Sequence, residues 1–323
     1  MTTPRHFLNL DRDTLSGETL RHILDVAKVW KHTPPQTLDS LLHGKTLAML
    51  FMQPSTRTRL SFENAMYRLG GNVTTLHTAQ SQMQRGESLK DTARVLSCYS
   101  QCAVMRTPHH QALDAFVRYS RIPVINGLTD TSHPCQVLSD IMTLEEEFHC
   151  PITECTVCWV GDGNNVANSW IHAADNLGFH LHLSCPPRHK PTALPRGTSF
   201  VRSFDDPYEA VVGCHAVITD TWFSMGTSRG SLLRRLALRR KKRALQPYQV
   251  SDTLMARAES KAVFMHCLPA YIGQEVSVSV FEGTRSRVWQ GVANRMHTQK
   301  AIIAWCLDAL PDSSSTTAKS AAT

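Results

Sequence analysis

The chain has 323 residues, of which 42% are hydrophobic and 19% charged, and its formal net charge is +7. A chain of this length exceeds the size at which a single hydrophobic core stops growing, so two domains are expected. The sequence holds no apolar stretch of about 18 residues and no apolar core near its N-terminus, which argues against a membrane span or an export signal and favours a cytoplasmic protein.

The first half of the chain alternates helical and extended patterns. Short apolar runs predict strands, and apolar residues at helical spacing predict the segments between them. Strands are predicted at 46–52, 72–76, 103–105 and 123–125, and helices at 15–31, 59–69, 88–99 and 111–119. This alternation is typical of parallel βαβ units with helices on both faces of the sheet, where ligands bind at the carboxyl ends of the strands.

The second half repeats the same organisation after a long predicted helix at 132–148. Strands are predicted at 156–161, 180–184, 216–219 and 262–265. A last helix at 295–310, with an apolar stripe on Ala301, Ile302, Trp305 and Leu310, is expected to return to the first unit. The predicted fold is α/β, with two doubly wound parallel-sheet domains joined by long helices. The predicted domains are 1–148 completed by 292–312, and 149–291, followed by a disordered Ser/Thr/Ala-rich tail at 313–323.

The positive charge is local. Eight bases and no acid lie between Arg229 and Arg243, and without them the rest of the chain has a net charge of −1. Nucleic-acid binders spread cations over a face and add stacking aromatics, and this run contains no aromatic residue. A solvated loop or helix face is therefore favoured over a nucleic-acid patch.

The ten cysteines are scattered through apolar segments, which predicts reduced, buried thiols. Cys155 and Cys158 have metal-like spacing with Cys150 nearby, but no second pair matches them and the segment has a strand pattern, so a zinc site is not favoured.

A polar block, Ser55-Thr56-Arg57-Thr58-Arg59, lies between the first predicted strand and the helix that follows. A helix start offers unpaired N–H groups and partial positive charge, and hydroxyls and guanidiniums added there can hold a phosphate or a carboxylate. We expect an anion site here. The alternative is an ordinary N-cap with two solvated arginines.

A glycine-containing turn, Gly161-Asp162-Gly163-Asn164-Asn165-Val166, follows the first strand of the second half. It is similar to a dinucleotide fingerprint, but Val166 replaces the third glycine and the next strand lacks a ribose-binding acid, which argues against NAD. The amide side chains of Asn164 and Asn165 are suited to orienting a small zwitterion. Further polar clusters follow other predicted strands, at 105–107, 132–136, 219–226 and 265–270.

Taken together, these motifs resemble the ornithine carbamoyltransferases, within the aspartate/ornithine carbamoyltransferase family. The motifs that carry the resemblance, in chain order, are Ser55-Thr56-Arg57-Thr58-Arg59, His133-Pro134-Cys135-Gln136, Gly161-Asp162-Gly163-Asn164-Asn165, Asp220-Thr221-Trp222-Phe223-Ser224-Met225-Gly226 and His266-Cys267-Leu268-Pro269-Ala270. The resemblance implies transfer of a carbamoyl group from carbamoyl phosphate to the side-chain amine of L-ornithine, without a cofactor or a metal, in a homotrimer with sites at subunit boundaries.

The resemblance also assigns residues to roles. The phosphate would be held by Ser55, Thr56, Arg57, Thr58 and Arg106, with Gln82 from a neighbouring subunit. The carbamoyl oxygen would contact His133 and Arg57, its amide would contact Gln136 and the backbone near Cys267 and Leu268, and Arg295 would close the site. Ornithine would contact Asn165, Asp220, Ser224 and Met225, with Cys267 beside the reacting amine. The residues implied for catalysis are Arg57, Arg106, His133, Asp220 and Cys267.

The sequence departs from the family pattern near the site. The segment after Gly226 is long and basic, the stretch 178–206 is short and proline-rich, and Ile272 and Ala293 stand where relatives often carry arginine and glutamate. The alternatives are a carbamoyltransferase for another amine, or a non-catalytic paralogue whose basic run binds a partner. The sequence does not separate an anabolic from a catabolic role.

Overall fold

The computed structural model describes residues 4–78, 81–193, 199–223 and 232–311. Two compact units are formed, the first by residues up to 142 together with those from 293 onward, and the second by residues 143–292. The division falls inside two long helices, α5 (Pro134–Phe148) and α11 (Val288–Cys306), so each of these helices belongs partly to both units.

The first unit is built on a four-stranded parallel sheet. Its spatial order is β2 (Asn72–His77), β1 (Thr46–Phe51), β3 (Cys102–Arg106) and β4 (Val124–Leu128). The associated helices are α1 (Gly17–His32), α2 (Arg57–Tyr67), α3 (Leu89–Tyr99) and α4 (His110–Tyr119). The chain steps from β1 to β2 and then returns past β1 to β3, and right-handed crossovers in these two directions place helices on opposite faces. A crevice therefore opens between the carboxyl ends of β1 and β3.

The second unit has a five-stranded parallel sheet. Its spatial order is β7 (Val201–Phe204), β6 (His180–Ser184), β5 (Thr156–Val160), β8 (Ala216–Thr219) and β9 (Val263–His266). Its helices are α6 (Asn165–Leu177), α7 (Pro207–Ala210), α8 (Leu232–Leu245), α9 (Asp252–Met255) and α10 (Val278–Phe281). Here the direction of winding reverses between β5 and β8, so the corresponding crevice lies at the ends of these two strands.

Burial explains the unbroken apolar runs of the central strands. In β3 every residue is buried, and in β1 every residue after Thr46 is buried, because helices cover both faces of the sheet. The edge strand β2 alternates between exposed and half-buried residues over its first half. The apolar side chains of the central strands thus fix the sheets, while the polar residues just beyond their carboxyl ends are left to line the crevices.

The predicted α/β fold is confirmed, with some differences in detail. The last helix starts at Val288 and ends at Cys306, so Leu310 lies beyond it. Strand β4 continues to Leu128, three residues past the predicted end. Strand β7 was missed because it is a four-residue edge strand without a buried residue, and it follows a proline-rich stretch. The predicted disordered tail at 313–323 falls outside the described residues.

The part of the basic run that the structure describes lies on helix α8, and Lys241 differs from the prediction of a solvated face. The exposed bases are Arg235, Arg239, Arg240, Lys242 and Arg243. Lys241 instead places its Nζ 2.7 Å from Oδ2 of Asp162. A charge pattern in the sequence cannot show this contact, because the partner lies 79 residues earlier in the chain.

The cysteines do not converge on one point. Cys150 and Cys155 have their sulfurs 3.7 Å apart, whereas Cys158 hydrogen-bonds Cys214. All ten thiols are free, and Cys98 is exposed, contrary to the expectation that they are buried.

Among the helices of the described residues, none combines the length and the apolar character that crossing a bilayer requires.

Replacing Gly163 with alanine should destabilise the second unit by roughly 3 kcal/mol or more. The new Cβ would lie 2.3 Å from the backbone nitrogen of Pro191 and 2.5 Å from the carbonyl carbon of Lys190, and backbone cannot rotate away as a side chain can. Gly213→Ala is the control, because nothing lies within 4 Å of its Cβ. Its φ of +72° should cost only about 1–2 kcal/mol. Denaturant unfolding measures both; an equal loss in the two variants would contradict the steric argument.

Candidate active site

The cationic cluster of the first unit forms at the crevice between β1 and β3. Thr58, in the first turn of α2, is buried, and its Oγ1 accepts hydrogen bonds from two guanidiniums. Arg295 Nη2 donates at 2.9 Å and Arg106 Nη1 at 3.3 Å. Arg106 is the last residue of β3, whereas Arg295 comes from α11, more than 230 residues away from Thr58 in the chain. Two buried cations around one neutral hydroxyl make a concentrated positive charge, which suits a polyanion.

His133, just before α5, lies in the field of these cations. It is 4% exposed, and its pKa is held well below the usual range, first by burial and then by Arg295, Arg106 and Arg57. The imidazole is therefore neutral at physiological pH. A neutral ring keeps one N–H donor and adds no further positive charge to the cluster.

Gln136 lies one turn further along α5 and is 2% exposed. Its Nε2 donates to Oδ1 of Asp140 at 2.9 Å, which fixes the amide. Its Oε1 is buried without a hydrogen-bond partner among the described residues. A buried carbonyl oxygen without a donor costs free energy, so this oxygen is available to accept a hydrogen bond.

The remaining predicted phosphate residues are distributed around the start of α2. Thr56 is the N-cap, and its side chain makes no capping hydrogen bond. Thr56 is exposed, while Ser55 and Arg57 are half-buried. Gln82 begins a short 3-10 helix and is exposed.

The polar network of the second unit forms at the crevice between β5 and β8. Asn164 is the N-cap of α6: its Oδ1 accepts from the N–H groups of Val166 and Ala167, and its Nδ2 donates to Oδ2 of Asp220 at 2.6 Å. Asp220, which follows β8, is 8% exposed. Its other oxygen, Oδ1, accepts from the Sγ of Cys267 at 3.0 Å. Asp220 thus holds a cap amide and a thiol together.

Asn164, the residue before the predicted Asn165, donates a hydrogen bond to Asp220. Both amides follow the same strand, and the sequence signal that separates them is the N-cap position, where a side-chain oxygen accepts from the first turn. Asn165 is the first residue of α6 and is half-buried. Ser224 and Met225 lie outside the described residues.

His266, Cys267 and Leu268 follow β9. The Nδ1 of His266 accepts from the N–H of Leu268 at 2.8 Å, and its Nε2 lies 3.3 Å from Oε1 of Glu275, with both side chains fully buried. Leu268 adopts a left-handed backbone, with φ of 61°, which turns the chain away from the strand. Glu275 was missed by the sequence analysis, because an acid in a loop carries no sign of its buried partner.

Asp220, His266 and Cys267 also form a cluster of possible metal ligands, whose donor atoms lie within 4.8 Å of one another. Each of these groups is, however, engaged in hydrogen bonding. The thiol donates to Asp220, and Nδ1 of His266 accepts from Leu268, while its Nε2 lies near Glu275. The thiol of Cys267 and the amide of Asn164 together fix the carboxylate of Asp220.

Fold and site together define a parallel α/β protein of two units, with a cationic anion site in one and a carboxylate–amide site in the other. A family model described as the carbamoyl-P binding domain of aspartate/ornithine carbamoyltransferase matches residues 5–146, and one described as the Asp/Orn binding domain matches residues 153–306. The chain belongs to the aspartate/ornithine carbamoyltransferase family.

Relatives named ornithine carbamoyltransferase are similar over nearly the whole chain. One from Rhodopseudomonas palustris is 45% identical over 319 residues, covering 95% of this chain and 98% of the relative. Another from Caulobacter vibrioides is 44% identical over 321 residues, covering 96% and 100%. The crystal structure of ornithine carbamoyltransferase from Burkholderia thailandensis has a TM-score of 0.84 and 39% identity, covering 95% of this chain and 100% of that one.

Replacing His133 with glutamine should reduce the loss of stability on acidification. Because the pKa of His133 is lowered in the folded state, the unfolded chain binds a proton more readily, so this group costs stability as the pH falls through its unfolded pKa of about 6.5. Between about pH 7 and 5.5 the wild type should lose roughly 1 kcal/mol more than His133→Gln. Denaturant unfolding at each pH measures this, with exposed His43→Gln as control; parallel losses in wild type and His133→Gln would contradict it.

Proposed function

We propose that this chain transfers the carbamoyl group of carbamoyl phosphate to the side-chain amine of L-ornithine, giving L-citrulline and phosphate. The observation that carries the proposal is the cluster of Thr58, Arg106 and Arg295 beside a neutral His133. It supplies concentrated positive charge for a phosphate and an uncharged donor next to it. The full-length similarity to relatives named ornithine carbamoyltransferase supports ornithine as the amine.

In this proposal the first domain, 1–148 with 292–312, binds carbamoyl phosphate. The phosphate contacts Ser55, Thr56, Arg57, Thr58 and Arg106 and is joined by Arg295 and by Gln82 of a neighbouring subunit. The start of α2 adds backbone N–H groups and the positive end of the helix dipole. Because guanidiniums bind phosphate through two parallel N–H donors, the arginines fix its orientation as well as its charge.

The carbamoyl end of the substrate meets His133, Arg57 and Gln136. Attack on the carbonyl carbon places negative charge on its oxygen, which the N–H of neutral His133 and the guanidinium of Arg57 stabilise as an oxyanion hole does. The buried Oε1 of Gln136 accepts from the carbamoyl amide. The backbone near Cys267 and Leu268 is proposed as a second contact of the same amide.

The second domain, 149–291, binds ornithine in this proposal. Asp220 holds the α-ammonium group, and the contacts of Asn165, Ser224 and Met225 complete the recognition of the amino acid. Asn164 is added to this set, because its amide fixes Oδ2 of Asp220. The thiol of Cys267 occupies the other oxygen of Asp220 and is placed beside the reacting amine.

The reaction forms a C–N bond, breaks a C–O bond and moves one proton. The lone pair of the neutral amine attacks the carbamoyl carbon, the bond from this carbon to the bridging oxygen breaks, and phosphate leaves with the electron pair and takes up the proton that the new amide nitrogen loses. An alkyl ammonium has a pKa of about 10.4, so only about 0.04% is neutral near pH 7. Positioning by the site, which can supply on the order of 7 kcal/mol, makes this small fraction productive.

A homotrimer is part of the proposal. Helices α2 and α3 of the first unit expose apolar side chains, namely Leu60, Tyr67, Val95 and Tyr99, with Tyr99 76% exposed. The two helices cover opposite faces of the sheet, and apolar side chains left in water on either of them favour a covered surface. A subunit boundary near the start of α3 would also give exposed Gln82 a phosphate to contact. We place the enzyme in the cytoplasm, where its ten free thiols remain reduced.

The function is tested by assaying citrulline formation from carbamoyl phosphate and ornithine with the purified protein between about pH 6 and 9. Activity should rise with pH as the amine loses its proton. Parallel reactions with putrescine, N-acetylornithine and aspartate test the choice of amine. Absence of citrulline while another amine is carbamoylated would overturn the assignment of ornithine, and absence of any product would overturn the enzyme.

Replacing Arg57 with alanine should weaken carbamoyl phosphate binding by about 100-fold or more, because a phosphate loses a charged partner in a buried site. Titration calorimetry measures the affinity. Arg59→Ala is a matched control two residues later on α2, where the guanidinium pairs with Glu63 at 3.4 Å and is 43% exposed. The proposed role of Arg57 is wrong if both variants bind carbamoyl phosphate equally well.

Replacing Asp220 with asparagine should raise the KM for ornithine by about 10- to 100-fold and leave carbamoyl phosphate binding unchanged. The amide removes the charge that the α-ammonium needs. Asp205→Asn in the same unit, where the side chain is 87% exposed, is the control. A similar loss of affinity for both substrates would refute the division of binding between the two domains.

A further inference from the structure

Helix α8 rests on the second unit through a narrow stripe. From residue 235 onward its less exposed positions are Leu238, Lys241 and Leu245, at the i, i+3 and i+7 spacing of one helix face. Lys241 is the polar member of this stripe, and its Nζ lies 2.7 Å from Oδ2 of Asp162. The side chains are 26% and 14% exposed, so water screens this ion pair less than a surface pair.

Asp162 belongs to the turn that builds the proposed ornithine site. Its backbone oxygen accepts from Nε1 of Trp159 at 3.0 Å and from the N–H of Asn164 at 2.9 Å. Asn164 in turn donates to Asp220 at 2.6 Å. Asp162 lies two residues before Asn164 in the chain, and Asp220 is bonded to the amide of Asn164. The two carboxylates are therefore held on the same rim of the crevice.

The charged groups that face Asp162 come from several elements. Burial raises its pKa, the ammonium of Lys241 opposes this most strongly, His189 opposes it less, and Asp220 raises it further. Nδ1 of His189 lies 3.7 Å from Oδ1 of Asp162. The nearby thiol of Cys185 is neutral, because burial raises its pKa to about 12. Lys241 is thus the main charge that balances Asp162.

We propose that Lys241 is a positioning residue for the amine substrate: by cancelling the charge of Asp162, it leaves Asp220 as the uncompensated carboxylate among the described residues of this rim. This inference rests on the proposed function. The reaction needs a neutral amine, and each additional negative charge near the bound substrate stabilises the ammonium form. Without Lys241, Asp162 raises the pKa of the bound side-chain ammonium and lowers the neutral fraction at a given pH.

The proposal is tested by substitutions of Lys241 and Asp162 that change the local charge in both directions. Lys241→Met leaves an uncompensated carboxylate, Asp162→Asn leaves an uncompensated ammonium, and the double variant removes both charges. Lys241→Arg retains the charge, and Lys242→Met removes the neighbouring, exposed ammonium. The readout is kcat for citrulline formation from about pH 7 to 10 with both substrates saturating, because kcat reports ionisations in the substrate complex.

The rising limb of the kcat profile, where activity increases as the bound amine loses its proton, should move by about half a pH unit, the effect of a unit charge roughly 10 Å away at an effective dielectric near 40. It should move up in Lys241→Met, so that kcat falls about threefold near pH 7 and the difference closes only as the pH passes the pKa of the bound amine, and down in Asp162→Asn. The double variant, Lys241→Arg and Lys242→Met should retain the wild-type limb. The KM for ornithine should not rise in Lys241→Met, since the added negative charge attracts the substrate.

A purely structural tether predicts a different pattern. Loss of the tether lowers kcat or raises KM by the same factor at every pH, and the double variant is then as impaired as Lys241→Met. An unmoved limb in both single variants would overturn the inference. If one of the two single variants does not fold, the direction in which the kcat profile of the other shifts along the pH axis decides whether the inference holds. Absence of citrulline formation by the wild type is a separate result, which would refute the proposed function itself.

Discussion

The site of the first unit depends on bringing two buried guanidiniums to one hydroxyl. Arg106 and Arg295 both donate to Thr58, from a strand end and from a helix near the C-terminus. Like charges repel strongly in a low-dielectric interior, so such an arrangement is stable only where a rigid scaffold enforces it. The buried strands β1 and β3 supply that scaffold, and the anion that the cluster is built to bind would relieve the repulsion.

Burial first, and this positive charge second, explain why His133 is neutral. Burial and the three arginines all lower its pKa, so the imidazole enters the cluster as a hydrogen-bond donor and not as a further cation. For the proposed reaction, this separates two tasks. The arginines neutralise the phosphate, and the histidine polarises a carbonyl oxygen whose charge grows only during the attack.

In the second unit the proposed substrate is a cation and not an anion. Its ammonium group requires a carboxylate for binding, yet the amine that attacks must be uncharged. Asp220 is held by Asn164 and Cys267, and Asp162 on the same rim is paired with Lys241. The rim thus holds two acids of which one is compensated. The site must bind a cation and also permit its deprotonation, and in our proposal the ion pair of Lys241 with Asp162 serves this balance as well as stability. Lys241 comes from helix α8, whose composition suggested only a solvated surface.

The α/β class and the parallel strands follow from the amino-acid sequence, because buried strands require continuous apolar runs. The block from Ser55 to Arg59 and the turns at Gly161 and His266 could be placed at strand ends for the same reason. Which side chains meet is visible only in the folded chain. The contacts of Thr58 with Arg295, of Asn164 with Asp220 and of Lys241 with Asp162 all join segments distant in the chain. Local periodicity reports the burial of each residue and carries no information about its partner, so these contacts required the folded chain.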